Sequence, residues 1–236
     1  LMLGVEVLQG ENEQMFGNSS IAIGENEIAA SKSAPALFIA YAKSSIDIEN
    51  TTILGGVSYA KGVSRIDHST DDEGPHSFAG DSSLYGVDLT IKHFFDSYSS
   101  LTWQTEYLYR DMDGEQYSDI NTTAETWTYD TDSMRKQQGG IYSQLVYAPN
   151  KSWQMGLRYE SIFQNDVIKS GTNTNQPNDL NKYSAMLEYR TSEFARLRLQ
   201  YNRNEALYDE EGMKKPIDSL IFQVNIAIGA HGAHSF

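Results

Sequence analysis

Leu101 to Arg110 read LTWQTEYLYR. Leu101, Trp103, Thr105, Tyr107 and Tyr109 share one parity, and Thr102, Gln104, Glu106 and Arg110 share the other. Successive side chains of a strand point to opposite faces, so this is a strand with one apolar-aromatic face and one polar face.

The same two-residue period recurs on either side. Trp153, Met155, Leu157 and Tyr159 oppose Gln154, Arg158 and Glu160, while Tyr183, Ala185, Leu187 and Tyr189 oppose Ser184, Glu188 and Arg190. Leu197, Leu199 and Tyr201 oppose Arg196, Arg198 and Gln200, and Leu220 to Ile228 alternate against Gln223 and Asn225. No helical period survives over eleven residues, so the fold class is all-β. Ten strands are expected, over 2–9, 35–45, 52–65, 84–95, 101–110, 136–148, 152–163, 183–191, 195–203 and 218–230.

Four connections are short (SSIDIENT, DSYSS, APNKS and TSEF) and five are long (10–34, 66–83, 111–134, 164–182 and 204–217). The two kinds alternate strictly. An antiparallel meander with short turns at one end and long loops at the other is the layout of an up-and-down transmembrane β-barrel, whereas a Greek-key sandwich has no reason to keep this order. The expectation is one barrel domain over 1–236 without a plug, either complete or the C-terminal part of a larger barrel.

Charge follows the same division. The chain of 236 residues carries a net charge of −14. The long loops hold 22 of the 32 acids and 5 of the 18 bases, so the acidity belongs to one rim. Such a balance argues against nucleic-acid binding. An acidic rim suits hydration, or a divalent cation bridging to lipopolysaccharide. There is no cysteine, so thiolate zinc sites and disulfides are unavailable. The opening LMLGVEVLQG lacks a charged start and a cleavage site, which suits a chain whose leader has gone or an excerpt of a longer one. The longest apolar run, Ala34 to Ala42, is too short for a spanning helix, which needs about 20 residues.

Two features place the apolar face outward. Trp103 and Tyr109, Trp153 and Tyr159, Tyr183 and Tyr189, and Tyr201 stand near strand ends on that face, as membrane-interface aromatics do. The polar face carries balanced charge suited to a lumen: Glu106, Arg110, Arg158 and Glu160, then Glu188, Arg190, Arg196 and Arg198. A soluble β-barrel binding a small ligand would turn the same faces the other way.

A terminal Phe236 after an alternating strand resembles the C-terminal signature of Gram-negative outer-membrane β-barrels. That resemblance implies an outer-membrane location, lipid and lipopolysaccharide as surroundings, and Phe236 as the signal read by the barrel-assembly machinery. The tail IAIGAHGAHSF, with WQTEYLYRDMDG, resembles the end of zinc-regulated TonB-dependent outer-membrane receptors, although no plug or energy-coupling box is present.

Catalytic readings are weaker. Ten strands suggest omptin-like proteases, with Asp111 and Asp113 as one acid pair and Asp67-His68 as the other; adjacent strand residues point apart, so Asp67-His68 fits poorly. His93 lacks a recognisable serine partner for a phospholipase. No enzyme activity is expected. Asp67, His68, Asp71, Asp72 and His76, with Glu73, form a candidate zinc-type cluster, and Asp111, Asp113, Glu115 and Asp119 a candidate calcium loop, each weighed against a solvated acidic loop. His231 and His234 face opposite sides of a strand. No cofactor is otherwise expected. The function expected is porin-like passage of small solutes or ions, the alternative being a non-transporting adhesin or structural anchor.

Overall fold

The computed structural model describes residues 1–227 apart from 13, 14, 24, 34, 72, 73, 122–126, 175, 193 and 209–211. Among them there are fifteen strands and no helix. In chain order, β1 is Met2–Leu8, β2 Glu11–Asn12, β3 Phe16–Gly17, β4 Ile21–Ile23, β5 Asn26–Ala29 and β6 Leu37–Ile48. Then come β7 Thr51–His68, β8 His76–Phe94, β9 Ser100–Asn121, β10 Thr128–Ala148 and β11 Trp153–Lys169. The last are β12 Thr172–Asn173, β13 Leu180–Ser192, β14 Ala195–Asn204 and β15 Ile217–Ile226.

Ten of these form one antiparallel path, β1-β6-β7-β8-β9-β10-β11-β13-β14-β15, with β12 beside β11. Every neighbour on the path is a sequential neighbour, once the small hairpins are set aside, so the meander read from the alternation is present. β1 and β15 are the two ends of the path, and among the described residues no pairing joins them. The strands are therefore an antiparallel sheet, whose closure into a barrel is a further step.

The short turns are tighter than the sequence suggested. Ile48 pairs with Thr51, so SSIDIENT contributes mostly strand and only Glu49 and Asn50 turn the chain. Between β8 and β9, Asp96 accepts hydrogen bonds from the Tyr98 and Ser99 amides and from the Ser99 hydroxyl. Asn150 does the same for the Ser152 and Trp153 amides before β11. Such side-chain-to-backbone bonds hold tight connections without help from packing.

Three long segments are corrected more heavily. Much of 66–83, 111–134 and 164–182 is strand, because β7 and β8 pair out to His68 and His76, and β9 and β10 out to Asn121 and Thr128. β11 likewise runs to Lys169. The alternation does not stop in these segments; it changes phase. In β9 the apolar residues up to Tyr109 are odd-numbered apart from Leu108, and then even-numbered Met112 becomes fully buried while Asp111 and Asp113 take the odd positions.

The first long segment, 10–34, is not simply a hydrated acidic loop. Phe16, Ile21 and Ile23 are buried. Phe16 packs with Leu37 and Ala60, beside Met15, Ile39 and Leu84, on the polar face of the sheet. Gly62 makes room for it: a β-carbon there would stand 2.9 Å from the Phe16 ring and 2.7 Å from the Ala36 carbonyl oxygen. Ile23 goes to the opposite face, packing with Tyr117 and Ile120 next to Ala79. The segment thus straddles the sheet at its long-connection end.

Candidate functional site

Register assigns every lumen candidate to one face. Gln104, Glu106 and Arg110 on β9 lie opposite Gln144, Tyr142 and Gln138 on β10. Arg158 and Glu160 on β11 stand opposite Ser184 and Lys182 on β13, while Glu188 and Arg190 stand opposite Arg198 and Arg196 on β14. Residues from β8, β9, β10, β11, β13 and β14 line a common cavity of about 550 Å³, with Met15 over it, so this face is concave.

The charges on it are wired together. Arg158 donates to Glu160 at 2.7 Å and to Gln144 at 3.2 Å, and its guanidinium lies 4.2 Å from the centre of the Tyr142 ring. Lys182 approaches the other Glu160 oxygen at 3.3 Å. Arg110 donates to Gln138, which passes the chain on to Asn165. Lys43 of β6 pairs with Asp88 of β8 at 3.3 Å.

Glu188 is the most enclosed charge. Its side chain is 0% exposed, and one oxygen accepts from Arg190 Nε at 3.0 Å. The other accepts from Arg198 at 2.7 Å and lies 3.8 Å from Arg196. Asn225 of β15, with its amide oxygen turned toward Arg196, accepts from that guanidinium at 3.0 Å. A buried carboxylate would be costly alone, and three guanidinium groups compensate it.

The aromatic candidates lie on the opposite face. Tyr59, Tyr85 and Tyr109 form one row, with ring centres 5.0 and 6.0 Å apart. Tyr159 and Tyr183 continue along the sheet at 5.3 Å, and Tyr201 bonds Asp218 at 2.6 Å. Nearer the short turns, Trp153 packs at a tilt against Tyr189 with ring centres 4.7 Å apart, and Trp103 donates to Ser143. Between the two levels the face is aliphatic and open, with Val57, Val87, Leu145, Leu157, Leu187 and Leu199 all exposed. In β9 this band runs from Leu101 to Tyr109, nine residues, the length of one transmembrane strand.

The metal candidates separate. Asp67 faces away from His68; burial raises its pKa, but hydrogen bonds from Ser69 and Ser77 outweigh this and hold it low. His68 lies 3.6 Å from Asp71 and packs edge-on against His76. Asp72 and Glu73 lie outside the described residues, as do His231, His234 and Phe236. Among the described residues no group of three potential ligands converges. In the acidic stretch of β9, Asp111 is taken up by a two-pronged pair with Arg135 at 2.8 and 2.6 Å. Glu115 accepts the Tyr117 hydroxyl; burial, followed by that bond and the carboxylate's charge, pushes the phenol pKa up to about 12.

Lys182 and Gln144 escaped the sequence reading. Lys182 sits one residue before the expected strand start at 183, yet keeps the parity of Ser184 and Glu188, which is the signal that could have found it.

No protein-family profile matches the chain. An uncharacterized protein of Aquifex aeolicus (strain VF5) is 42% identical over 236 residues, all of this chain and 48% of that protein. The chain therefore spans about half the length of the curated relative it matches. A solved structure of the NanC porin in a rhombohedral crystal form overlaps 83% of this chain and 96% of its own at 11% identity. Its TM-score is 0.36, and at that score the overlap carries no argument.

Proposed function

We propose that this sheet is part of an outer-membrane β-barrel, porin-like, through which small solutes pass along the polar face. The observation that supports it is the inversion of the two faces across the Tyr59-Tyr85-Tyr109 row. Toward the short turns the outer face is apolar and exposed, while the inner face carries Glu106, Arg158 and Glu188. Beyond the row the outer face carries Arg65, Asp81, Asp111, Asp113 and Arg135, while Ile66, Phe78, Met112, Met134 and Val167 pack on the inner one.

A water-soluble protein rarely leaves a contiguous apolar surface of more than a few hundred Å² in water. Lipid against the band, between its two aromatic levels, removes that cost. The short turns then face the periplasm and the long connections the exterior, with lipopolysaccharide around the acidic outer portion. Barrel-assembly machinery would insert such a chain. Closure brings β1 and β15 together directly or through further strands, and strand number sets the lumen width.

Refolding into detergent or lipid and recording in planar bilayers tests this reading. Discrete conductance is expected. Folded protein that gives no current overturns passage and leaves the anchor reading, which the structured outer portion favours. Monodispersity without detergent overturns the membrane reading altogether.

A further inference from the structure

The polar face is charged unevenly around its curve. On β6, β8 and β9, Asp47, Asp88 and Glu106 balance Lys43, Lys92 and Arg110. On β11, β13 and β14 the same face carries five bases, Arg158, Lys182, Arg190, Arg196 and Arg198, from the short turns up to the Glu160-Lys182 pair, against only Glu160 and Glu188. The excess is three positive charges on one side.

Glu188 does not cancel that excess. It lies wholly beneath its arginines, whereas Arg190, Arg196 and Arg198 keep 43%, 42% and 31% of their side chains accessible. The carboxylate holds the guanidinium groups in place, and the surplus charge faces outward from it. A guanidinium is planar and always charged, with donors that match carboxylate and phosphate oxygens.

Next to this group a cavity of about 470 Å³ is lined by Arg158, Lys182 and Arg198, with Gln144, Ser184 and Gln200 as neutral donors. Glu160 is the acid on its wall, already occupied by Arg158 and Lys182. The cavity has room for a small solute, and three cationic groups from three strands converge on it.

We infer that this corner of the polar face is a binding site for a small multivalent oxyanion, a dicarboxylate or a phosphate compound. The inference rests on the passage reading for its biological use, but binding itself can be measured without a current. Folded protein in detergent is titrated with succinate and, in a second arm, inorganic phosphate, each followed by calorimetry at low salt. Saturable binding that weakens with added sodium chloride is expected, and the stronger arm identifies the oxyanion class.

Arg198→Gln should weaken it tenfold or more, whereas Lys43→Gln, on the balanced side, should change it less than twofold. Where Arg198→Gln does not fold, Lys182→Gln serves, since Lys182 lines the same cavity and takes no part in the Glu188 group. Absence of saturable binding in both arms, or equal losses from the two sides, overturns the site. Binding without any bilayer current overturns passage and leaves the site standing. Current without binding, and without anion preference, overturns the site alone.

Discussion

The strands β7 to β10 contain two proteins' worth of chemistry end to end. Beyond the Tyr59-Tyr85-Tyr109 row, Phe78 and Met112 are buried on the inner face while Asp81 and Asp113 are exposed on the outer one, as in any sheet that folds in water. Below the row the hydrogen-bonded ladder continues without a break, yet Val87 and Leu145 are exposed outside and Gln104 and Glu106 line the inside. Backbone pairing does not distinguish the two zones. On the proposed reading solvent does, since an apolar side chain turns toward whatever excludes water, and in the lower zone that would be lipid outside the sheet.

The comparison breaks most visibly at Phe78. Its ring lies over the Gly80-Gly114 pair, where a β-carbon at either position would come within 3 Å of it, and it packs with Met112 and Met134. Phe78→Ala should cost about 3–5 kcal/mol, the range for emptying a buried aromatic site. Urea unfolding in lipid should show the loss, with new proteolysis confined to the upper ends of β7 to β10. An unchanged midpoint would mean that the upper zone has no core of its own.

A charge placed on the outer face should then be read oppositely in the two zones. Leu157 is 64% exposed, in the middle of the aliphatic band. Leu157→Arg should lose about 2–4 kcal/mol on refolding into bilayers, the cost of a cation near the midplane. Asp81→Arg, on the same face above the row, should stay within about 0.5 kcal/mol. If Leu157→Arg proves neutral, the band faces water and the inversion has another cause.

These two zones also explain which features the sequence revealed. Ten strands, their order and the two aromatic levels followed from period and parity at residues such as Trp103, Tyr109, Trp153 and Tyr189. Each lies where faces are uniformly apolar or polar along several residues. The upper zone hid because the phase changes between Tyr109 and Met112, and a phase change reads like the end of a strand. The lumen candidates were found to share a face, since that needs parity alone. Their grouping around Glu188 was not legible, because it depends on which strands pair and in what register. Burial of Phe16 and Ile23 was hidden for a similar reason, lying within a segment whose acids dominated its composition.

The smallest expected effect lies just above the boundary, at Asp111 and Arg135. The hydrogen bonds from Arg135 hold the Asp111 carboxyl below the usual carboxylate range, although partial burial works against them, and the carboxylate in turn raises the guanidinium. A carboxyl with a lowered folded-state pKa contributes stability that is fully present above its unfolded value. That contribution disappears as pH falls through the folded value. Arg135→Gln should therefore lower the unfolding midpoint slightly at neutral pH, and the difference from the parent should shrink once pH falls below about 4. The pair is partly exposed, so added salt should shrink it too. An equal group set within the lipid band would be insensitive to salt, because ions do not enter hydrocarbon. A difference that persists at 1 M salt, compared in urea-unfolding curves of the two proteins, would move the boundary of the band above Asp111.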